Sequence, residues 1–203
     1  MRFEDLCKKL SEKKYYVFSF EDACLLFPKE KRTTLKQYLS RWKKNAFIEP
    51  IRKGLYELVY PERHVLSDMY LANKIYGPSY VSLETALSHY SLIPEVSMAA
   101  LSITAKPTRR FKNHHGLFIY RSVQPKAFCG YTIDHHGALD VFIAEPEKAL
   151  VDFLYFKTLR ANKNDTETLR MDRKRVGRLN QKKLDRYGRI YGIDVKGILD
   201  AHP

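Results

Sequence analysis

Residues 33–58, TTLKQYLSRWKKNAFIEPIRKGLYEL, constrain the fold more than any other stretch of this chain. The first half has apolar residues at the spacing of one helix face, which predicts an amphipathic helix capped by Thr33 or Thr34. The second half has two short apolar runs around residues 52–54, RKG, and the glycine suits the positive φ of a tight hairpin turn. The apolar stripe of the predicted helix consists of Leu35, Tyr38, Leu39 and Trp42.

Two further helices are predicted before this stretch. Residues 3–14 carry apolar side chains on one face, and Ser19 is placed to cap a second helix that ends before Pro28. Three helices followed by a hairpin are the order of a winged helix-turn-helix, so we predict that residues 1–60 form such a domain. Its third helix would enter the major groove of DNA, and its hairpin would contact a neighbouring phosphate or the minor groove.

The predicted helix and hairpin carry charge of nearly one sign. Segment 28–44 contains seven basic residues and one acidic residue, Glu30, whereas a solvated helix face ordinarily mixes the two signs. The whole chain has a net charge of +13 and a pI near 9.6, which favours a polyanionic partner. We predict that double-stranded DNA is contacted by Lys31, Arg32, Thr33, Thr34, Lys36, Gln37, Ser40, Arg41, Lys44, Arg52 and Lys53.

Side-chain chemistry suggests roles within this set. Arginine binds guanine and glutamine binds adenine at two points each, so Arg32, Gln37 and Arg41 are the candidates for reading a base sequence. Lysine is better suited to phosphate, which positions a protein without specifying a sequence. A polar outer face is common on any surface helix, and winged helices also dock on proteins, so a protein-docking module remains an alternative.

From residue 61 onward the pattern changes to alternating helices and strands. We predict a second domain over residues 61–203 and an α+β fold class for the whole chain. Residues 106–116, KPTRRFKNHHG, are expected to be a basic connection. The predicted helices cover residues 65–76, 82–90 and 145–160, the predicted strands cover residues 97–105, 116–123 and 138–144, and a basic connector with a final helix closes the chain.

That final part contains a second group of basic residues. A solvated connector would account for them, and so would an auxiliary surface for nucleic acid or a protein partner. Both interpretations stay open at this point. The group consists of Arg170, Arg173, Lys174, Arg175, Arg178, Lys182, Lys183, Arg186 and Arg189.

One short motif suggests an enzyme instead of a binding protein. Asp134, His135 and His136 form the signature triplet of a phosphoesterase family that uses such residues to hold two metal ions. The further aspartate-rich motifs and the glycine-rich substrate loop of that family are missing here, and we expect the triplet to lie in a turn. A metal-dependent phosphoesterase acting on nucleic acid is therefore the alternative function.

The other candidate residues are better explained without catalysis. His114 and His115 lie in the basic connection, and neighbouring residues of a strand point to opposite faces, so the pair does not by itself predict a metal site. Asp152 lies between apolar neighbours and is interpreted as a buried hydrogen-bond acceptor. We therefore predict no catalytic residues, no metal site and no cofactor, and we expect a protein that is not an enzyme.

From the sequence we expect no signal for export and no membrane span. Its three cysteines are far apart and form no CxxC pair, which fits a reducing compartment. The first residues are charged throughout, and no apolar run approaches the roughly 20 residues that a membrane span needs. We expect a cytoplasmic protein.

Four stretches, in the same order, resemble the AbiEi-type antitoxins of type IV (abortive-infection) toxin–antitoxin systems. The departure from the family pattern is Ser91, which stands where the family usually has glycine before LIPE. The stretches are TLKQYLSRWKKNAFIEPIRKGLYEL, GPSYVSLETALSHYSLIPE, ITAKPTRRFKNHHGLFIYRSVQPKAFCGY and IAEPEKALVDFLY, and LNQKKLDRYGRIYG is similar to the closing helix of the family.

The resemblance implies a two-domain antitoxin that takes part in phage defence. Such proteins act as transcriptional regulators that repress their own operon by binding inverted repeats upstream of it. They also oppose a cognate nucleotidyltransferase-like toxin, and they are thought to do so without a stable complex. An inverted repeat needs two recognition helices, which makes a dimer plausible. The N-terminal part is variable in the family, so no base preference can be carried over.

Overall fold

The structure, a computed structural model, describes residues 2–95, 97–136, 139–160 and 171–201. Both helices and sheets are present, so the expectation of a mixed α and β fold is confirmed. The described helices are α1 (Phe3–Glu12), α2 (Phe20–Leu26), α3 (Arg32–Lys44), α4 (Asp68–Ile75), α5 (Leu83–His89), α6 (Pro146–Arg160), α7 (Arg173–Val176), α8 (Gln181–Tyr191) and α9 (Val195–Ala201). The described strands are β1 (Val17–Ser19), β2 (Ile48–Arg52), β3 (Leu55–Leu58), β4 (Tyr80–Val81), β5 (Ala99–Thr104), β6 (Arg109–Asn113), β7 (Gly116–Ser122), β8 (Tyr131–His136) and β9 (Leu139–Ala144).

Local sequence chemistry explains where α2 begins. The Ser19 hydroxyl accepts a hydrogen bond from the backbone N–H of Asp22 at 3.0 Å, and the Asp22 carboxylate accepts one from the backbone N–H of Ser19 at 2.7 Å. Each side chain satisfies a backbone donor that the first helical turn would leave unpaired. The predicted N-cap is confirmed.

The start of α3 differs from the prediction. The helix begins at Arg32, with Lys31 at the N-cap position and no side-chain cap hydrogen bond, so the predicted cap at Thr33 or Thr34 is wrong. The Arg32 guanidinium donates two hydrogen bonds to the Glu21 carboxylate of α2, at 2.9 and 2.6 Å. This ion pair joins the first turn of α3 to α2. The prediction considered only capping residues next to the helix start, so it did not include a contact with another helix.

The first sheet has three antiparallel strands in the order β1-β3-β2. Strand β1 was not predicted, because its three residues are too short a run to show a period. Gly54 has φ +77° in the turn between β2 and β3, as the hairpin prediction required. Helices α1, α2 and α3 pack on this sheet through a core that includes Phe3, Leu6, Leu10, Phe18, Leu39, Trp42 and Ile48.

The second sheet has six strands in the order β6-β7-β5-β4-β9-β8. Strands β5 and β7 pair in parallel, as do β4 and β9, and the other pairs are antiparallel. Two expectations about its edges were wrong. Segment 106–116 contains the edge strand β6 in place of a simple connection, and Asp134, His135 and His136 lie on the edge strand β8 in place of a turn. Charged side chains are tolerated on edge strands, which hid both from a hydrophobic pattern.

A buried polar network joins the helices of the C-terminal half to the second sheet. Asp152 on α6 is fully buried and pairs with the equally buried Lys148 one turn earlier. It also accepts hydrogen bonds from the hydroxyls of Ser82 at 2.7 Å, Tyr191 at 2.5 Å and Tyr80 at 3.1 Å. We call these five residues the Asp152 network. The prediction that Asp152 is a buried hydrogen-bond acceptor is confirmed.

Burial of this network changes the pKa values of its two tyrosines. Burial, together with the neighbouring Asp152 charge, raises the pKa of Tyr80 and that of Tyr191 far above the ordinary tyrosine value. A buried charge needs a partner and satisfied hydrogen bonds, and the network supplies both. Its polar groups are therefore paired with one another within the protein.

The hairpin β2–β3 is fastened to the second half of the chain. Asn113, at the end of β6, donates a side-chain hydrogen bond to the carbonyl of Ile51 at 3.2 Å. The Arg52 Nε donates to the carbonyl of Ile75 at 2.6 Å, at the C-terminal end of α4 where a cation is favoured by the helix dipole. The larger hydrophobic core includes Val17, Ile51 and Leu55 of the three-stranded sheet.

Candidate nucleic-acid interface

Helix α3 has one buried face and one polar face. Leu35, Leu39 and Trp42 are each 3% exposed or less, and Tyr38 is half-buried and stacks on Trp42 with ring centroids 5.6 Å apart. Packing of this stripe fixes the rotation of the helix, so the remaining side chains point outward. The exposed residues of the predicted set on this helix and its cap are Lys31, Arg32, Thr33, Lys36, Gln37, Ser40, Arg41 and Lys44, and Thr34 is half-buried. We call the eight exposed residues the α3 face.

The charge of the α3 face is unusual for a helix. No acidic residue occurs between Arg32 and Lys44, and the first turn begins with cations where the helix dipole favours anions. Cations at that end repel the partial positive charge of the helix N-terminus, a cost that an anionic ligand there would reverse. The arrangement therefore suits contact with phosphate groups.

Arg32 is held in place within the chain. Its guanidinium lies 4.8 Å from the centre of the Phe20 ring in addition to its two hydrogen bonds with Glu21. The hydrogen bond from Arg32 lowers the pKa of the Glu21 carboxyl below its usual range. Glu21 consequently stays charged and competes with any phosphate for Arg32.

The two cationic side chains at the hairpin tip differ in how they are held. Lys53 is exposed in the turn between β2 and β3. Arg52 is engaged with the carbonyl of Ile75 and also donates to the carbonyl of Lys53 at 3.2 Å. Both side chains are exposed, and Arg52 is the one whose guanidinium is held by backbone carbonyls. Sequence reasoning missed the anchoring bond of Arg52, because Ile75 lies 23 residues away.

Two residues of the triplet behind the alternative function, Asp134 and His135, have separate partners. Asp134 lies 3.2 Å from the ring of His89, and His135 Nδ1 lies 2.8 Å from a carboxylate oxygen of Asp140. Consecutive strand residues point to opposite faces, which separates the two side chains. Among the described side chains, Asp134 and His135 do not form a group of three or more metal-ligating residues.

A different group of ligating side chains does converge. Glu57 of β3 is within hydrogen-bond distance of both His114 and His115, which lie in the turn between β6 and β7. Sequence reasoning placed this pair in a basic connection and did not predict a metal site from it, because neighbouring residues of a strand point to opposite faces. A turn directs both rings to the same side, and its signal was the glycine that follows them, Gly116, with φ +137°.

The C-terminal basic group is partly engaged in the fold. Lys183 donates to the Glu145 carboxylate at 3.0 Å, and Tyr187 donates to the same oxygen at 2.8 Å. Burial alone would raise the pKa of Glu145, but these two hydrogen bonds lower it below its usual value. Arg175 pairs with Asp172 at 3.3 Å. Arg170 lies outside the described residues.

Comparison with known proteins adds no relative. No protein-family model matches the chain, and no match to a curated protein was found. Within the described residues, none of the helices combines the length and the apolar character needed to cross a membrane. Function must therefore be inferred from the α3 face and from the four sequence stretches described above.

Proposed function

We propose that this protein is the antitoxin of a type IV toxin–antitoxin pair and a DNA-binding repressor of its own operon. Residues 1–60 are proposed to be a winged helix-turn-helix domain, and the remainder an AbiEi-type C-terminal domain. The observation that carries the DNA-binding half is the α3 face, which is exposed, cationic and free of acidic residues along a helix of 13 residues. The order of α1, β1, α2, α3 and the hairpin β2–β3 supports the domain type.

The proposed binding mode places α3 in the major groove. That groove is about 12 Å wide and admits one helix. Gln37 and Arg41 lie one turn apart on the exposed side, where they can reach base edges. Lys31, Lys36 and Lys44 would bind phosphates on either side, and Lys53 would reach a neighbouring phosphate from the hairpin.

The antitoxin half rests on the sequence resemblance, and packing offers a physical reason for it. Tyr80 and Ser82 belong to the second resembling stretch, Lys148 and Asp152 belong to the fourth, and Tyr191 belongs to the closing helix. These residues form the Asp152 network, so the stretches meet inside the C-terminal half. Such a network would give proteins with these stretches a common packing, while the residues that oppose the toxin would lie on the surface around it.

DNA binding is tested with the DNA upstream of the chain's own gene. We expect a gel shift that weakens steeply with salt, because bound lysines and arginines release counterions from the phosphates. The double variant Lys36→Gln/Arg41→Gln should bind more weakly and reduce the salt slope by about one per phosphate contact removed. Lys196→Gln, an exposed lysine of α9 outside both groups of basic residues, is the control and should bind like the wild type. Absence of retardation at low salt would contradict the repressor function.

The antitoxin half has a separate test. The full chain is co-expressed with the product of the adjacent gene, and growth is measured. We expect rescue by the wild type. If neutralisation needs no DNA binding, the variant Lys36→Gln/Arg41→Gln should rescue equally. Failure of the wild-type chain to rescue would exclude an antitoxin function for that gene pair and would leave DNA binding unaffected.

A further inference from the structure

Three side chains from two different parts of the fold converge beside the hairpin. The Glu57 carboxylate, 2% exposed, projects from β3 toward the turn that holds His114 and His115. His115 Nε2 lies 2.6 Å from one carboxylate oxygen, and His114 Nε2 lies 3.1 Å from the other. The three ligating atoms all lie within 4.8 Å of one another. We call these residues the Glu57 cluster.

The turn that carries the histidines is held in a fixed orientation. The Asn113 side-chain oxygen accepts the backbone N–H of His115 at 2.8 Å, while its amide nitrogen donates to the carbonyl of Ile51 on β2. One asparagine therefore shapes the turn and fastens it to the hairpin. Both imidazoles are aimed at Glu57 by the backbone, which is the kind of support that a metal-binding residue needs.

Two carboxylates and only one guanidinium lie close together beside the Glu57 cluster, among the described residues. Glu49 of β2 stands directly opposite Glu57 in the sheet register. Like charges in that position destabilise a sheet, and burial of a carboxylate adds a further cost. Arg63 pairs with Glu49 and lies 3.6 Å from Glu57, so one guanidinium faces two carboxylates.

We propose that the Glu57 cluster binds one divalent transition-metal ion of the zinc class. The ligands are Nε2 of His114, Nε2 of His115 and the Glu57 carboxylate. Glu49 Oε2, 3.7 Å from His114 Nε2, is paired with Arg63, and it would become a fourth ligand if Arg63 turned away. Zinc takes imidazole nitrogen and carboxylate oxygen at about 2.0 to 2.2 Å, so small side-chain movements would open the cluster around an ion.

The donor set indicates the class of ion. Imidazole together with carboxylate suits zinc and its transition-metal neighbours, whereas magnesium and calcium prefer oxygen ligands alone. The His114 side chain is 31% exposed, which leaves a path from solvent. An ion there would join β3 of the three-stranded sheet to the β6–β7 turn of the six-stranded sheet. It would act as a structural clamp between the two sheets, and this role does not depend on DNA binding.

Metal content decides the proposal. The full chain, freed of any histidine tag, is stripped with a chelator, dialysed against Zn²⁺ or Mg²⁺, and analysed by plasma mass spectrometry. We expect one Zn²⁺ per chain, no retained Mg²⁺, and a higher midpoint of thermal unfolding with Zn²⁺. His114→Ala, His115→Ala and Glu57→Gln should each lose the bound Zn²⁺. His135→Ala, an exposed histidine on β8, is the matched control and should retain it.

Glu57→Gln separates a metal site from a hydrogen-bonded cluster. Glutamine keeps the size of the side chain and can still bond an imidazole, but it is a poor zinc ligand. We expect a native circular dichroism spectrum together with loss of Zn²⁺. Two results would overturn the proposal: a wild-type chain that retains no Zn²⁺, or Zn²⁺ that persists in His115→Ala and disappears in His135→Ala. The second result would assign the ion to the Asp134 triplet.

Discussion

Lys36 and Lys148 show two opposite uses of the same side chain. Lys36 lies on the α3 face, exposed to solvent, among neighbours of its own sign. Lys148 is fully buried, paired with Asp152 and within 3.0 Å of the Tyr191 hydroxyl. The exposed charge adds little to the free energy of folding and is available to a partner. The buried charge is available to no partner, and the fold depends on its pairing.

Among these variants, Lys148→Ala should give the largest loss in the free energy of unfolding. The substitution leaves the Asp152 carboxylate buried without its cation, which costs about 3–5 kcal/mol of unfolding free energy. Urea denaturation measures the loss. The double variant Lys148→Met/Asp152→Leu should recover only part of it, because the uncompensated charge is gone but the hydroxyls of Ser82, Tyr80 and Tyr191 lose their acceptor. A loss below about 1 kcal/mol for Lys148→Ala would mean that water reaches the network.

A smaller effect separates the two cations of the hairpin tip. Arg52→Gln removes the bond to the Ile75 carbonyl, so we expect a loss of about 1 kcal/mol in the free energy of unfolding. Lys53→Gln should leave stability unchanged and reduce the salt slope of DNA binding by about one. Urea denaturation of both variants measures stability, and DNA titration at several salt concentrations measures the salt slope. Equal stability of the two variants would contradict the anchoring role of Arg52.

Glu145 lies between the two extremes, partly exposed and hydrogen-bonded to Lys183 and Tyr187. Its pKa in the folded chain is below the usual value of 4.5, so its contribution to stability is present above pH 4.5 and is lost as the pH falls through the folded pKa. The free energy of unfolding should therefore decline on acidification below about pH 4.5. Glu145→Gln should show a shallower decline in the same denaturation series. An identical decline would assign the acid sensitivity to other carboxylates.

Glu21→Gln should also change stability very little. The pair between Glu21 and Arg32 is exposed on both sides, so its loss should barely alter unfolding. DNA affinity should rise, because Arg32 is released and a negative charge beside the α3 face is removed. Fluorescence anisotropy with labelled upstream DNA measures the change. Weaker binding by Glu21→Gln would indicate that Glu21 positions Arg32 for DNA contact.

Local chemistry predicted some parts of this structure and long-range contacts decided others. The Ser19 cap and the Gly54 turn depend on residues within a few positions, and both were predicted correctly. Strands β6 and β8 were missed because edge strands carry charge and lack the alternation of a half-buried strand. Glu57 and His115 are 58 positions apart, so neither residue marks the cluster until the two sheets are packed together.

If the chain binds DNA as proposed, the bonds that Arg52 and Asn113 make have a consequence for the spacing of its half-sites. They fasten the hairpin β2–β3 to α4 and to β6, so the proposed DNA-binding domain would not rotate freely about a flexible linker. Two chains joined through their C-terminal halves would then hold their helices at one separation and one angle. A single base pair inserted between half-sites rotates one of them by about 35°, since a turn of DNA holds roughly 10.5 base pairs. Such a repressor would not bind correct half-sites that are separated by the wrong number of base pairs.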